Sequence, residues 1–266
     1  TLGWKGLLEK VRHYREKNDP VDPDFYDGEE ELLLGILEWV KAHADYAEEL
    51  AKKESDPFRR QNYLEIAQAN RNLTEAPPRT FREVCQFLAH FQSVDRMYYV
   101  GGALGRMDML LQPYYEKDTE NGAITEEEAV WMIACLLFND THYAQIGGLS
   151  PAGDRETLSR ISFLILEATH LLHIPSNLAV RVHQPVGDQD EAAEELLHRA
   201  VEYTIKDGNG VCYSLEKGTS EGYAKNGYPV ELGRMRVKCG CNWTAIPGRE
   251  YPLQDVTRIN MGMALH

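Results

Sequence analysis

Between residues 29 and 53 apolar side chains return every three or four positions: Leu33, Ile36, Leu37, Val40, Ala44, Ala47 and Leu50. That is the helical period, and it predicts one amphipathic helix with a single buried stripe. Glutamates open the segment and lysines close it, each at the end whose dipole favours it. A second helix is predicted over about 57–73, and Pro77–Pro78 end the pattern. Thr80 is an N-cap candidate with Glu83 three residues on. The helix that follows would turn Phe81, Val84, Cys85, Leu88, Phe91 and Val94 inward. The opening "LGWKGLLEKV" starts in mid-pattern and "RINMGMALH" stops within an apolar element, which reads as an excised piece of a longer protein.

From about residue 125 the texture changes. Thr125 and Glu128 have capping-box spacing, and "VWMIACLLF" is apolar on nearly every side, so a deeply buried helix is expected there with Cys135 as packing. The stretch "YAQIGG" then predicts a short strand near 143–147 ending in a glycine turn. Helices are expected over 155–173 and 189–205, with strands near 178–182 and 210–214 between and after them. Short helices near 219–226 and 229–237 lead to "KCGCNW". Strand alternating with helix implies a parallel sheet with helical crossovers, hence an α/β fold. The N-terminal helices, roughly residues 1–100, would pack outside a sheet-bearing region spanning 101–266.

Composition narrows the function. The chain of 266 residues carries a formal net charge of −14. Such a surface repels phosphates and anionic lipid, which argues against nucleic acid and membrane partners. The apolar runs are too short to span a bilayer. Five cysteines, an odd number in a long chain, do not form a secreted disulfide framework, and a reducing cytoplasm fits them better.

The cysteine loop is the chemical centre of interest. A zinc site needs a second Cys/His pair, and none stands at recognisable spacing, so no metal is expected on Cys239 and Cys241, nor elsewhere in the chain. A disulfide across Cys-Gly-Cys would be strained. Two readings stay open: a pair of buried thiols at a helix end, or a reactive thiol on a tight loop turned by Gly240. Arg236 and Lys238 would favour a thiolate in the second case. Elsewhere, Arg106 and Asp108 lie two apart, which on a helix would keep them from facing each other, so each is expected to pair with another element. Arg181, mid-strand among apolar residues, must be paired, either with a structural carboxylate or with an anionic substrate group. His183 ends that strand as a satisfied histidine or an acid–base group. Asn139 and Asp140 read as caps, and Cys212 as core.

Four segments together carry a family resemblance. "GGALGRMDMLLQPYYEKD" (101–118), "IGGLSPAGD" (146–154), "PSNLAVRVH" (175–183) and "GYPVELGRMRVKCGC" (227–241) resemble, in order, the segments that lead to the active cysteine of glycyl radical enzymes, the pyruvate formate-lyase-like superfamily. The resemblance covers about residue 80 to the end. It implies the first half of a ten-stranded α/β barrel, with additional N-terminal helices and the cysteine on a loop inserted at the barrel centre. It also implies a stable radical on a C-terminal glycine, installed by a separate S-adenosylmethionine-dependent iron–sulfur activating enzyme. That radical would make a cysteine thiyl radical that attacks a small organic substrate, in what is expected to be a homodimer. Gly240–Cys241 fits the family's Gly-Cys pair, so the resemblance assigns the radical to Cys241, with Cys239 second.

Two departures qualify that reading. Trp243 stands where the dehydratase and choline-lyase branches carry a glutamate base, and an aromatic wall suits an apolar substrate. A glycyl-radical motif and a second half barrel do not occur in the 266 residues, so the segment alone is expected to be silent. A lyase, dehydratase or decarboxylase is therefore expected of the whole. The alternatives are formate acetyltransferase-type acyl transfer using both thiols, and an inactive scaffold half barrel. Arg181, His183, Trp243 and Cys212 are the expected substrate-side residues.

Overall fold

The computed structural model describes residues 2–98, 103–140, 143–183, 190–208, 211–240 and 243–250. The chain forms two compact units, Thr1–Val94 with Pro113–Met132, and Asp95–Gln112 with Ile133–His266.

The first unit is helical. Helices α1 (Gly3–Asn18), α2 (Asp24–Lys53), α3 (Pro57–Glu75) and most of α4 (Phe81–Tyr98) build it. The expected stripe of α2 is buried at Leu33, Ile36, Val40, Ala44 and Ala47, and it packs with Trp4, Leu8, Leu73 and Phe87. Asp56 caps α3 by accepting from the Arg59 amide at 2.8 Å, with Pro57 in the first turn where its missing N–H costs nothing. Thr80 caps α4 as its spacing predicts, accepting from the Glu83 amide. Cys85 is core, whereas Phe91, expected inward, is exposed and Phe87 takes its place. Tyr115 lies edge-on to Phe81 and donates its hydroxyl to Glu126.

The second unit contains a four-stranded sheet in the order β1 (Ala103–Arg106), β2 (Tyr143–Ile146), β3 (Leu178–Val182), β4 (Cys212–Leu215). All three pairings are parallel, so the three expected strands do lie side by side in one sheet. The fourth, β1, was not foreseen. Helices α5 (Met107–Glu120), α6 (Glu126–Asn139), α7 (Arg160–Leu172) and α8 (Asp190–Asp207) alternate with the strands. Thr125 and Glu128 form the reciprocal capping box of α6.

Several expectations are corrected here. Helix α6 is not buried all round: Trp131 and Phe138 are exposed, and so is Cys135. Asp140 follows the last residue of α6 with its amide on the Leu136 carbonyl, the capping position expected of it, and its carboxylate also pairs with Arg96 through both oxygens. Helix α7 begins at Arg160, not 155, because Ser159 and Ser162 form its capping box. The segment before it bridges back as Leu149 opposite Glu156. After α9 (Thr219–Lys225), helix α10 (Val230–Met235) stops early, and β5 (Val237–Lys238) pairs antiparallel with β6 (Thr244–Ala245). Cys239 thus follows a strand of this antiparallel pair, not a helix end.

Candidate functional site

Chemistry concentrates where β1, β2, β3 and β4 end, as expected for parallel strands joined by helices. Arg106 closes β1 and Asp108 sits in the first turn of α5. The chain changes from strand to helix between them, so the two side chains meet, correcting the expectation that they would not. Arg106 donates to both oxygens of Asp108, at 2.9 and 3.1 Å. Asp108 is fully buried and also accepts from the Gly147 amide and the Ser162 hydroxyl. Gly147 and Gly148 follow β2 with φ of 70° and 125°. A Cβ on Gly148 would stand 3.3 Å from Cγ of Arg181 and 3.5 Å from the Arg106 guanidinium, so only glycine lets these arginines pass close to the turn.

Arg181 finds a structural carboxylate. Its Nε donates to Glu216 at 2.7 Å and its Nη1 to the Arg236 carbonyl at 2.8 Å. Glu216, just beyond β4, also accepts from Ser220. His183 meets Glu156 through Nε2, both side chains being buried. Burial pushes the Glu156 carboxyl above the usual carboxylate range, while His183 and the amides of Thr157 and Gly148 oppose that shift. Glu156, Leu158, Arg181, His183 and Leu196 line a cavity of ≈ 170 Å³.

The hairpin lies against this sheet. The Lys238 amide donates to the side chain of Gln145 in β2 at 3.1 Å, and β5 packs on β1 and β2. The Cys239 amide donates to the Trp243 carbonyl, closing the loop at 3.2 Å. Arg236 is held by Glu250 in a two-bond pair and lies over the Tyr223 ring at 4.2 Å.

Cys239 is buried, and desolvation pushes its thiol up to about 11 against the weaker pull of Lys238. The expected thiolate is therefore corrected: neutralising Arg236 with Glu250 and excluding water keep the proton on this sulfur. Site-resolved mass spectrometry should find iodoacetamide slow at Cys239 near pH 8, with the rate climbing about tenfold per pH unit toward 11. Labelling as fast as at exposed Cys212 would contradict a buried, protonated thiol.

Cys241 lies outside the described residues. Trp243 is half exposed. Cys212, expected in the core, is exposed on β4; β3 is the strand paired with β4 among the described residues. Sequence reasoning missed Glu156, Glu216 and Gln145. Gln145 alone left a trace, as a polar residue at a buried strand position. Among the described residues no metal-ligating cluster includes Cys239; the one such cluster lies at the C-terminal ends of α7 and α8.

Residues 1–266 match a family model described as pyruvate formate lyase-like. The isethionate sulfite-lyase of Desulfovibrio desulfuricans is 30% identical over 298 aligned positions, covering 98% of this chain and 35% of that protein. The 4-hydroxyphenylacetate decarboxylase glycyl radical subunit of Clostridioides difficile is 26% identical, covering 84% of this chain and 27% of its own length. A solved structure concerned with 1,2-propanediol dehydration in Roseburia inulinivorans superposes with a TM-score of 0.81 at 28% identity, over 93% of this chain and 34% of that one. The B12-independent glycerol dehydratase from Clostridium butyricum gives 0.78 at 25% identity, over 93% and 34%. The chain spans about a third of the length of these relatives. The match takes in the N-terminal helices, which the sequence motifs did not reach, and the four parallel strands agree with a partial α/β barrel.

Proposed function

The chain belongs to the pyruvate formate lyase-like family, and on that premise we propose that it is the part of a glycyl radical lyase that carries the radical-bearing cysteine. The substrate is a small organic molecule, and the reaction a cleavage or elimination of the lyase, dehydratase or decarboxylase kind. The observation that carries the reading is the cysteine segment: Cys239, directly after β5, is buried with its thiol pushed up by desolvation, and β5 is seated against β1 and β2.

Protonation matters because a thiol gives up a hydrogen atom only if it has one. A thiolate at the same place would be a nucleophile and no hydrogen-atom donor. A glycyl radical supplied in the complete enzyme provides the acceptor for that atom. In this proposal Cys241 bears the radical and Cys239 is its neighbour. The sulfur then takes a hydrogen atom from a substrate carbon, so one S–H bond forms as one C–H bond breaks, and the odd electron stays on carbon. The burial of Cys239, two residues before Cys241, supports a loop shielded from water, as radical chemistry on a sulfur requires. His183 and Glu156 pair at the cavity wall, Arg181 braces that wall, and Trp243 and Cys212 contribute to the substrate side. An S-adenosylmethionine-dependent activating enzyme, a homodimer and a cytoplasmic setting belong to the same proposal.

The test uses the full-length protein that contains this chain, with its activating enzyme, assayed on isethionate, 4-hydroxyphenylacetate, 1,2-propanediol and glycerol. Cys241→Ser should remove turnover while the glycyl radical signal by electron paramagnetic resonance persists, and Cys239→Ser should retain part of the activity. Loss with both variants favours acyl transfer through two thiols. Undiminished activity in both ends the radical reading.

A further inference from the structure

At the end of the second unit opposite in sequence role to the hairpin, three metal-ligating side chains converge. His170 lies in the last turn of α7, His173 caps that helix, and Asp207 is the last residue of α8. His170 Nδ1 stands 2.8 Å from both oxygens of Asp207. His173 Nδ1 stands 3.5 Å from Oδ1 of the same carboxylate. One ligand atom from each of the three falls within 4.8 Å of the others. With metal–ligand bonds of about 2.0–2.1 Å, neighbouring ligands of a tetrahedral ion stand about 3.3 Å apart. The observed spacings bracket that value.

We propose that His170, His173 and Asp207 form a site for one divalent transition-metal ion, with water in the remaining position. Four independent features support it. The donor set of two imidazoles and one carboxylate is the one zinc and its neighbours prefer over calcium or magnesium. The C-terminal ends of α7 and α8 meet here, and their dipoles favour a cation. The Tyr203 ring stacks on His170 at 3.9 Å and 6°, which fixes the imidazole plane and presents Nδ1 to Asp207. The third feature of the environment is access: Asp207 is buried at 6% side-chain exposure while His173 is open at 62%, so the site has an anchored floor and an entry.

His173 also adopts a left-handed backbone, φ 48°, a conformation usually given to glycine at this capping position. That conformation turns its ring back over His170, the ring centroids being 5.4 Å apart. The neighbouring Lys206 is paired with Glu202 one turn back. The ion would clamp α7 to α8, the helices that flank β3 in sequence.

The site is separate from the cysteine hairpin, and the experiment keeps the two apart. Untagged full-length protein is titrated with Zn²⁺, and with Co²⁺ as a spectroscopic probe, beside a His173→Ala variant. His173 is exposed, so its truncation leaves the fold intact. The parent should bind one more ion than the variant, or bind it at least tenfold more tightly. Co²⁺ should give d–d absorption without a sulfur-to-metal charge-transfer band, and Zn²⁺ should raise the melting temperature of the parent but not of the variant. Equal stoichiometry and affinity in parent and variant would overturn the proposal. So would binding that survives His173→Ala and disappears with Cys239→Ser.

Discussion

Truncating Asp108 to alanine is expected to destabilise the sheet-bearing unit by about 3–5 kcal/mol, the cost of leaving a buried charge without its partner. Asp108 is completely buried. It accepts from Arg106 twice, from the amides of Met109 and Gly147, and from the hydroxyl of Ser162. One carboxylate thus joins the end of β1, the turn after β2 and the first turn of α7. Alanine would leave the Arg106 guanidinium only its Thr157 bonds and would take away the acceptor of the Gly147 amide. Asparagine at 108 keeps the shape but has one acceptor oxygen, so Arg106 would face an N–H in either orientation, together with the Met109 amide or the Gly147 amide, and an intermediate loss is expected. Adding Arg106→Met to Asp108→Ala should recover only part of the stability, because the Gly147 amide stays unsatisfied. Urea unfolding, followed by hydrogen exchange over residues 143–149, measures this. A change within about 0.5 kcal/mol for Asp108→Ala, the range of ordinary surface substitutions, would refute the role assigned to this carboxylate.

What the sequence disclosed and what it hid divide along the distance between partners. Thr125 and Glu128, or Thr80 and Glu83, are three residues apart, and a local rule reads them. "NLAVRV" declares a buried strand by its β-branched run. Arg181, by contrast, announced only that it needed a partner. Glu216 lies 35 residues on, in a segment whose position depends on how β4 pairs with β3. Strand β1 was hidden by its own composition: Gly105 has φ 65°, and "ALGR" lacks the residues that mark strands. Cys212 misled because alternation says which side chains share a face, not whether anything covers that face. The hairpin was half visible. Gly240 signalled a turn, but the stop of α10 at Met235 and the pairing of Val237 with Ala245 are not written in helical periodicity. The raised thiol of Cys239 rests first on its burial and then on Glu250 offsetting Arg236, fourteen residues away, and neither shows in a local pattern.

The stability of the helical unit should fall as pH drops through the window below about 6.5, because of His90. This side chain is 2% exposed, with Trp39 edge-on at 5.3 Å and His43 beyond. Its Nε2 lies 3.1 Å from the Gln86 amide nitrogen. Its Nδ1 has no hydrogen-bond partner among the described residues. Burial first, and the nearby His43 second, push its pKa down to about 3. The folded chain therefore holds a neutral imidazole through the whole acid range, whereas the unfolded chain takes a proton below the ordinary value near 6.5. The unfolded state binds more protons, so stability decreases with falling pH, by about 1.4 kcal/mol per unit and about 2 kcal/mol by pH 5. The loss continues until His90 itself titrates near 3. His90→Leu keeps an apolar side chain in the same place and removes the titration. Between pH 6.5 and 5, before most carboxylates take protons, its stability should be flatter than the parent's by that slope. Urea unfolding followed by tryptophan fluorescence reads the difference, since Trp4 and Trp39 both lie in this unit. Parallel pH curves for parent and variant would mean that His90 gains its proton without unfolding, and would refute the burial argument.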